Sequence, residues 1–392
     1  MRLLEASKSH CNLYFLFFAS PNEEQSQLYK TYGQAIYWKD FESAQQLLKS
    51  LIPYKVVFLY IESYNHVVLN LACKEAGIPT YLLEHGLRAD YVVGFDPSIS
   101  PGRENRLSYY YQVLRDFRAR VKSRKFLDRS ISLLKPENSA FAKEFVQVRS
   151  KYNYLDTFRR IKSDKRLADY YIGFSPKIFE SFKAHEAPYF GGSVKYIGIP
   201  YFDKLAALTP AAPGKNILLI DQPLAEQGLL QWDMKYKTAF ASTLISVCQK
   251  HQYQLYIKPH PKQDLTFWQK YEKQNQCTLV NDERLMQLAP GIPVVLGFYS
   301  TYLMPFAAYP HTSVITFENH PAGDYVVSKP LAEAGVAHPI YTLDELHDIL
   351  QKPDIILKQQ LPHKAAFIED WMYKFDGKSG ERLRDILAGD TF

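Results

Sequence analysis

Cysteine is scarce in this chain. Its 392 residues include four, Cys11, Cys73, Cys248 and Cys277, which stand far apart with no paired spacing. That spacing excludes a disulfide framework or a cysteine zinc site, and it places the protein in a reducing compartment, the cytoplasm. Long apolar runs are missing too. The one near the start, residues 13–19, is preceded by Lys8 and His10 and is too short to span a bilayer. A first β-strand accounts for it better than a signal peptide. No Asp-x-Asp pair occurs, so the commonest acidic arrangement for holding a metal on a phosphate is lacking and no metal is expected. There is no repeat of roughly 20 to 50 residues to indicate a solenoid. Charged residues make up only 22% of the chain against 46% hydrophobic, the balance of a globular protein able to bury large cores.

What is present is an alternation. Residues 12–19 read as a strand, 41–51 as a helix, 55–61 as a β-branched and aromatic strand, 64–76 as a helix closed by Gly77, and 79–83 as another strand. After a basic stretch, 170–174 and 194–199 resume the strand pattern. The Pro/Ala-rich interval Leu208-Thr209-Pro210-Ala211-Ala212-Pro213-Gly214 breaks it and reads as a linker. Beyond it a second unit begins, with strands at 216–220, 253–257, 277–280, 293–298 and 313–317 and helices at 232–250, 264–274 and 301–308. Strands alternating with helices of this length form βαβ units and parallel sheets. The chain also exceeds the roughly 250 to 300 residues at which single cores stop growing. The expected fold class is α/β, with two Rossmann-like, doubly wound domains at 1–207 and 215–392 facing across a cleft. A helical insertion at about 103–169 belongs to the first.

The net charge of +6 is unevenly spread. Residues 103–169 hold 18 Lys/Arg against 8 Asp/Glu, a balance of +10 that leaves the rest of the chain at −4. Aromatics are interleaved, as in Tyr109-Tyr110-Tyr111, Phe117, Phe126, Tyr152 and Tyr154. No nucleic-acid motif accompanies them, so a nucleic-acid partner is not expected. Such a surface suits anionic lipid head groups, where each Lys or Arg contributes on the order of 1 kcal/mol. It suits equally an ordinary solvated basic face. A peripheral position at the inner membrane follows from the first alternative.

Four short segments put polar residues at carboxyl strand ends, where open α/β folds bind ligands. In Tyr256-Ile257-Lys258-Pro259-His260-Pro261-Lys262 a strand stops at two prolines enclosing a histidine between lysines, groups suited to a phosphate. In Glu84-His85-Gly86-Leu87-Arg88 a carboxylate, an imidazole and a guanidinium cluster. Glu84 or His85 has the chemistry of a general base and Arg88 that of an anion holder, or Glu84 and Arg88 form a surface ion pair. Asp221 ends the first strand of the second domain, ahead of Gln222-Pro223, as a nucleophile or a helix N-cap. Ser300 and Thr301 follow Gly297-Phe298-Tyr299 directly before a helix, where hydroxyls and free N–H groups bind anions and where Ser or Thr also commonly caps.

An acidic-x-Gly motif, a Leu-Leu-x-x-x-Pro strand end, a His-Pro motif and a Ser/Thr-rich turn, in this order, resemble bacterial GT-B glycosyltransferases that use CMP-activated sugars. These are the lipooligosaccharide and capsule sialyltransferases and the Kdo transferases. The resemblance implies that His260, Pro261, Ser300 and Thr301 bind the CMP phosphate, with Lys258 beside them, and that Arg88 or Lys262 pairs with the sugar carboxylate. It departs at two places. Inverting sialyltransferases have an Asp-Asp-Gly type motif where this chain has Glu84-His85-Gly86, and Asp221 is similar to the nucleophile of retaining β-Kdo transferases of O-antigen and capsule assembly.

The expected function is therefore transfer of a Kdo-type sugar from CMP-Kdo to a glycan or lipid-linked glycan acceptor of lipopolysaccharide or capsule. Asp221 would attack the anomeric carbon, and Glu84 or His85 would deprotonate the acceptor. No cofactor is expected beyond the donor itself. Two alternatives stay open: an inverting CMP-sialic acid-dependent sialyltransferase with Glu84 as base, and a non-catalytic glycan-binding module of a polysaccharide assembly complex.

Overall fold

The β-branched and aromatic runs form strands in the computed structural model, which describes residues 2–17, 28–86, 117–261, 263–324 and 326–389. These residues fall into two units. The first contains 2–17, 28–86, 117–201 and 378–389, and the second contains 202–261, 263–324 and 326–377. Both are α/β with parallel sheets.

In the first unit, β1 (Leu13–Phe17) pairs in parallel with β2 (Gly33–Tyr37) as a separate two-stranded sheet. Strand β2 gives little sequence signal, because its five residues begin at a glycine and contain one polar side chain. The main sheet has four parallel strands in the order β3 (Val56–Phe58), β4 (Thr80–Leu83), β5 (Tyr170–Gly173) and β6 (Ser193–Tyr196). Helix α1 (Ala44–Leu51) starts where the Ser43 hydroxyl accepts from Gln46 N, and α2 (Tyr64–Glu75) where Ser63 accepts from His66 N. Such caps satisfy amide donors that a helix start leaves unpaired. Past α2 the chain turns at Gly77 with φ +69°, a left-handed conformation that glycine adopts without penalty. Helix α2 buries nearly every side chain from Val67 to Cys73 because it is sandwiched between the sheet and the basic insertion.

That insertion folds as α3 (Phe117–Leu133), α4 (Pro136–Arg149) and α5 (Tyr154–Arg160), while residues 87–116 lie outside the described part. Helix α3 buries Phe126, Leu127 and Ile131 against the first unit's core, and Ser130 Oγ accepts from Ala44 N at 2.9 Å. Lys122, Lys125 and Arg129, spaced three and four apart, lie exposed on one face of α3. Helix α6 (Pro176–Glu186), capped by Ser175, follows β5.

The second unit has a six-stranded parallel sheet whose order is β14 (His338–Ile340), β11 (Ser313–Phe317), β10 (Val294–Gly297), β7 (Asn216–Ile220), β8 (Gln254–Lys258) and β9 (Thr278–Leu279); apart from it, β12 (Asn319–His320) and β13 (Gly323–Asp324) form an antiparallel ribbon. The central strands are covered on both faces, and Ile217, Leu219, Val294, Leu296 and Ile315 are all fully buried, which explains their unbroken apolar sequence. From β7 the chain builds outward to β8 and β9, then returns to the other side of β7 as β10. This reversal makes the crevice beside the β7 carboxyl end the topological switch point, the preferred ligand position in such sheets. The helices that bear on it are α7 (Met234–Lys250), α8 (Thr266–Glu272) and α9 (Asp282–Leu288). Helix α10 (Leu343–Gln351) follows β14 and opens with a capping box between Thr342 and Glu345.

The last helix, α11 (Ser379–Ala388), belongs to the first unit. Lys55 Nζ donates to the carbonyls of Ile386, at 2.6 Å, and Gly389, at 2.5 Å, while Arg382 Nε donates to Ile197 O at 2.8 Å. A cation at a helix carboxyl end meets both the unpaired carbonyls and the negative end of the helix dipole. Among the described residues, no helix is long and apolar enough to cross a membrane.

Candidate active site

Glu84 directly follows β4, and its amide extends the strand ladder by donating to Ile172 O at 3.0 Å. The carboxylate is buried at the end of β5. Tyr171 Oη donates to Oε1 at 3.0 Å and Phe174 N donates to Oε2 at 2.5 Å. Both partners are neutral, so they only partly offset the loss of water. Burial dominates and raises the Glu84 pKa to about 8. A carboxyl group with that pKa exchanges its proton near neutral pH, as a general base must. His85 is half-buried, edge-to-face with Tyr60 at 5.8 Å, and Gly86 follows at φ +143°. Arg88 lies outside the described residues.

In the second unit the carboxyl ends of three neighbouring strands, β8, β7 and β10, carry the predicted groups. Asp221 follows β7, and its amide donates to Lys258 O at 3.0 Å. Four donors converge on its buried carboxylate. Gln222 N reaches Oδ1 at 2.9 Å, while Trp268 Nε1 at 2.6 Å, Gln263 Nε2 at 2.5 Å and Lys237 Nζ at 3.3 Å reach Oδ2. Lys237 also pairs with Glu226 at 2.6 Å. Burial raises the Asp221 pKa against the opposing pull of Lys237, Trp268 and Gln263. The N-cap alternative for Asp221 does not hold. The short helix Leu224–Gln227 has Pro223 at its N-cap position, and the aspartate turns to α7 and α8 instead.

The His-Pro turn is tied to this carboxylate through Gln263. His260 N donates to Gln263 Oε1 at 3.1 Å, and Gln263 N donates back to His260 O at 2.9 Å. On the opposite side, Tyr299 N donates to the Gln222 side-chain Oε1 at 3.0 Å, which bridges the switch point between β7 and β10. Strands β8 and β10 flank β7, so their ends stand about 10 Å apart at two strand spacings.

Two further expected residues have partners within the protein. Lys258 is ion-paired with Asp282 on α9 at 2.9 Å, so its charge is already matched within the protein. Ser300 accepts from Tyr302 N at 3.2 Å as the cap of a 3-10 turn, Thr301–Leu303, so the segment expected as one helix opens as a tighter turn before Met304–Ala308. Thr301 is half-buried in that turn and Pro261 is exposed beside His260. Lys262 lies outside the described residues. Sequence reasoning missed Gln222, Lys237, Gln263 and Trp268. The two glutamines stand next to quoted motifs, but Lys237 and Trp268 sit inside helical segments that read as ordinary amphipathic patterns. Among the described residues, no group of three His, Cys, Asp or Glu side chains is arranged to hold a metal ion.

Comparison with known proteins bears on the family and the fold. The family model for alpha-2,8-polysialyltransferase (POLYST) matches residues 3–318, a span that includes Glu84, Asp221, His260 and Ser300. Among curated proteins none matches the chain by sequence. The fold is GT-B, as the likeness to one solved structure shows. The wall teichoic acid polymerase TagF soaked with CDPG is similar at 12% identity, over 98% of this chain and 84% of that one, with a TM-score of 0.52. A glycosyltransferase of kitacinnamycin is similar at 12% identity over 100% and 94% of the two chains, with a TM-score of 0.49.

Proposed function

The chain belongs to the alpha-2,8-polysialyltransferase family and is a sialyltransferase-like GT-B glycosyltransferase; from that we propose that it transfers sialic acid from a CMP-activated donor to a sialic acid-bearing glycan. The family match carries this reading. It favours sialic acid over the Kdo donor that Asp221 suggested, and it brings the inverting mechanism forward. Glu84, poised near neutral pH, takes the proton from the acceptor hydroxyl, and that oxygen displaces CMP from the anomeric carbon in one step. The CMP phosphate lies between the His260 turn and the Ser300 turn, where donors stabilise the charge that develops on it as the bond to the sugar breaks. Asp221, engaged by four donors, holds these turns in register rather than attacking the sugar.

A panel of CMP, UMP, UDP and GDP, read by thermal shift, tests the donor class. CMP at about 100 times its dissociation constant is expected to stabilise the nucleotide-binding unit by about 2.7 kcal/mol. His260→Ala is expected to reduce that shift markedly. Equal shifts from UDP and CMP would remove the CMP assignment.

The basic face of α3 supports an anionic acceptor. Lys122, Lys125 and Arg129 point away from the core and make no ion pair among the described residues. Binding of a sialic acid oligomer is expected to weaken steeply with salt, because exposed charges are screened within about 8 Å at physiological ionic strength. Reversing Lys122 and Lys125 to Glu is expected to raise the acceptor KM while leaving CMP affinity unchanged. An unchanged KM together with lost binding to anionic vesicles would assign this face to a membrane instead.

A further inference from the structure

We infer that Gln263 is a positioning residue that sets the donor-phosphate site by holding the His260 turn onto the end of β7, an inference that rests on the proposed use of His260 as a phosphate ligand. Three observations support it. The Gln263 side chain is buried although it is polar, and both ends of its amide are used. Oε1 accepts from His260 N at 3.1 Å, while Nε2 donates to Asp221 Oδ2 at 2.5 Å and to Glu226 Oε1 at 3.2 Å. These contacts fix which way the amide faces, because only the NH2 end can donate to two carboxylates and only the oxygen can accept from a backbone amide.

The consequence is mechanical. The His260 turn leaves β8 between two prolines, residues that remove backbone donors and leave the turn few ladder bonds of its own. Gln263 ties the turn to Asp221, the carboxylate that α7 and α8 also grip through Lys237 and Trp268. On the far side Gln222 joins the same strand end to Tyr299, one residue before Ser300. The two phosphate-binding turns are thereby referenced to one point, the end of β7. Glutamate would not serve at position 263, since it would place a third carboxyl group beside Asp221 and Glu226.

The test is a double-mutant cycle with Gln263→Met, which keeps side-chain length and the backbone bond to His260 O but removes every side-chain hydrogen bond, and His260→Ala, each titrated with CMP. If Gln263 acts through His260, Gln263→Met weakens CMP binding about 10-fold in the wild type and less than about 2-fold in the His260→Ala background, since coupled residues are non-additive. A merely structural glutamine would cost the same factor in both, and that result, or no loss in either, overturns the inference. Amide hydrogen exchange at the turn gives a reading that does not depend on the nucleotide. The His260 amide is expected to exchange at least about 10-fold faster in Gln263→Met while core strands β7 and β10 keep their protection. Unchanged protection at His260 would refute the tie itself. Failure of the wild type to bind CMP, with faster exchange at His260 in the variant, would overturn the nucleotide assignment and leave the tie standing.

Discussion

Glu84→Gln is expected to lower transfer about 100-fold to 10,000-fold while leaving CMP affinity within a factor of about two, because the amide keeps the shape but cannot accept a proton. The pH dependence gives the sharper signature. With the Glu84 pKa at about 8, wild-type kcat/KM should rise through neutral pH and level off above about 8, and the residual rate of the variant should lack that rise. Stability should move the other way. The folded protein keeps a proton on Glu84 that the unfolded chain releases near pH 4.5, so this contribution is complete below about 4.5 and is lost as pH climbs through about 8. The neutral amide of the Glu84→Gln variant mimics the protonated acid, and the variant is therefore expected to stabilise the first unit relative to wild type at pH 8.5 but not at pH 4. If Glu84→Gln retains most activity and His85→Gln does not, the base is the imidazole.

Asp221→Asn is expected to lower the unfolding temperature of the second unit by several degrees and to weaken CMP binding. The reason lies in the company Asp221 keeps. A backbone amide, an indole, a glutamine NH2 and an ammonium group all donate to it, so an amide's own NH2 would meet only donors. Leaving such buried groups unmatched costs about 1–3 kcal/mol. Lys237 keeps Glu226, which limits the damage. A nucleophilic Asp221 predicts the reverse pattern: unchanged folding and CMP affinity, abolished transfer, and in the wild type a mass gain of one sugar on the peptide containing Asp221. Observing that adduct would restore the retaining mechanism.

The parallel sheets were legible because the covered strands β7 and β10 run apolar from Ile217 to Ile220 and from Val294 to Leu296, and because Gly77 marks a helix end in the expected way. The positions of Glu84, Asp221, His260 and Ser300 at strand ends followed from the same pattern. Their partners did not. That four donors surround Asp221 depends on α7 and α8 bringing residues 16 and 47 positions away to one point, a tertiary fact with no local periodicity. The ion pair between Lys258 and Asp282 was hidden for a similar reason, since Asp282 lies on a short helix with no clear sequence signal. Strand β2 and the 3-10 opening at Thr301 were missed because short segments with glycine or a capping serine look like turns.

The return of α11 to the first unit has a consequence for the order of synthesis. Residues 202–377 form one uninterrupted stretch, so the second unit has its whole sequence outside the ribosome before the first unit does. The first unit must wait for Arg382, Ile386 and Gly389, whose contacts with Ile197 and Lys55 join residues about 185 and 330 positions apart. Loop closure over such separations slows folding more than it lowers final stability. During translation the buried face that α11 later covers is exposed, and a nascent chain stalled before residue 378 should show a protease-resistant second unit beside a protease-sensitive first one. Supplying residues 378–389 as a separate peptide should restore resistance to the first.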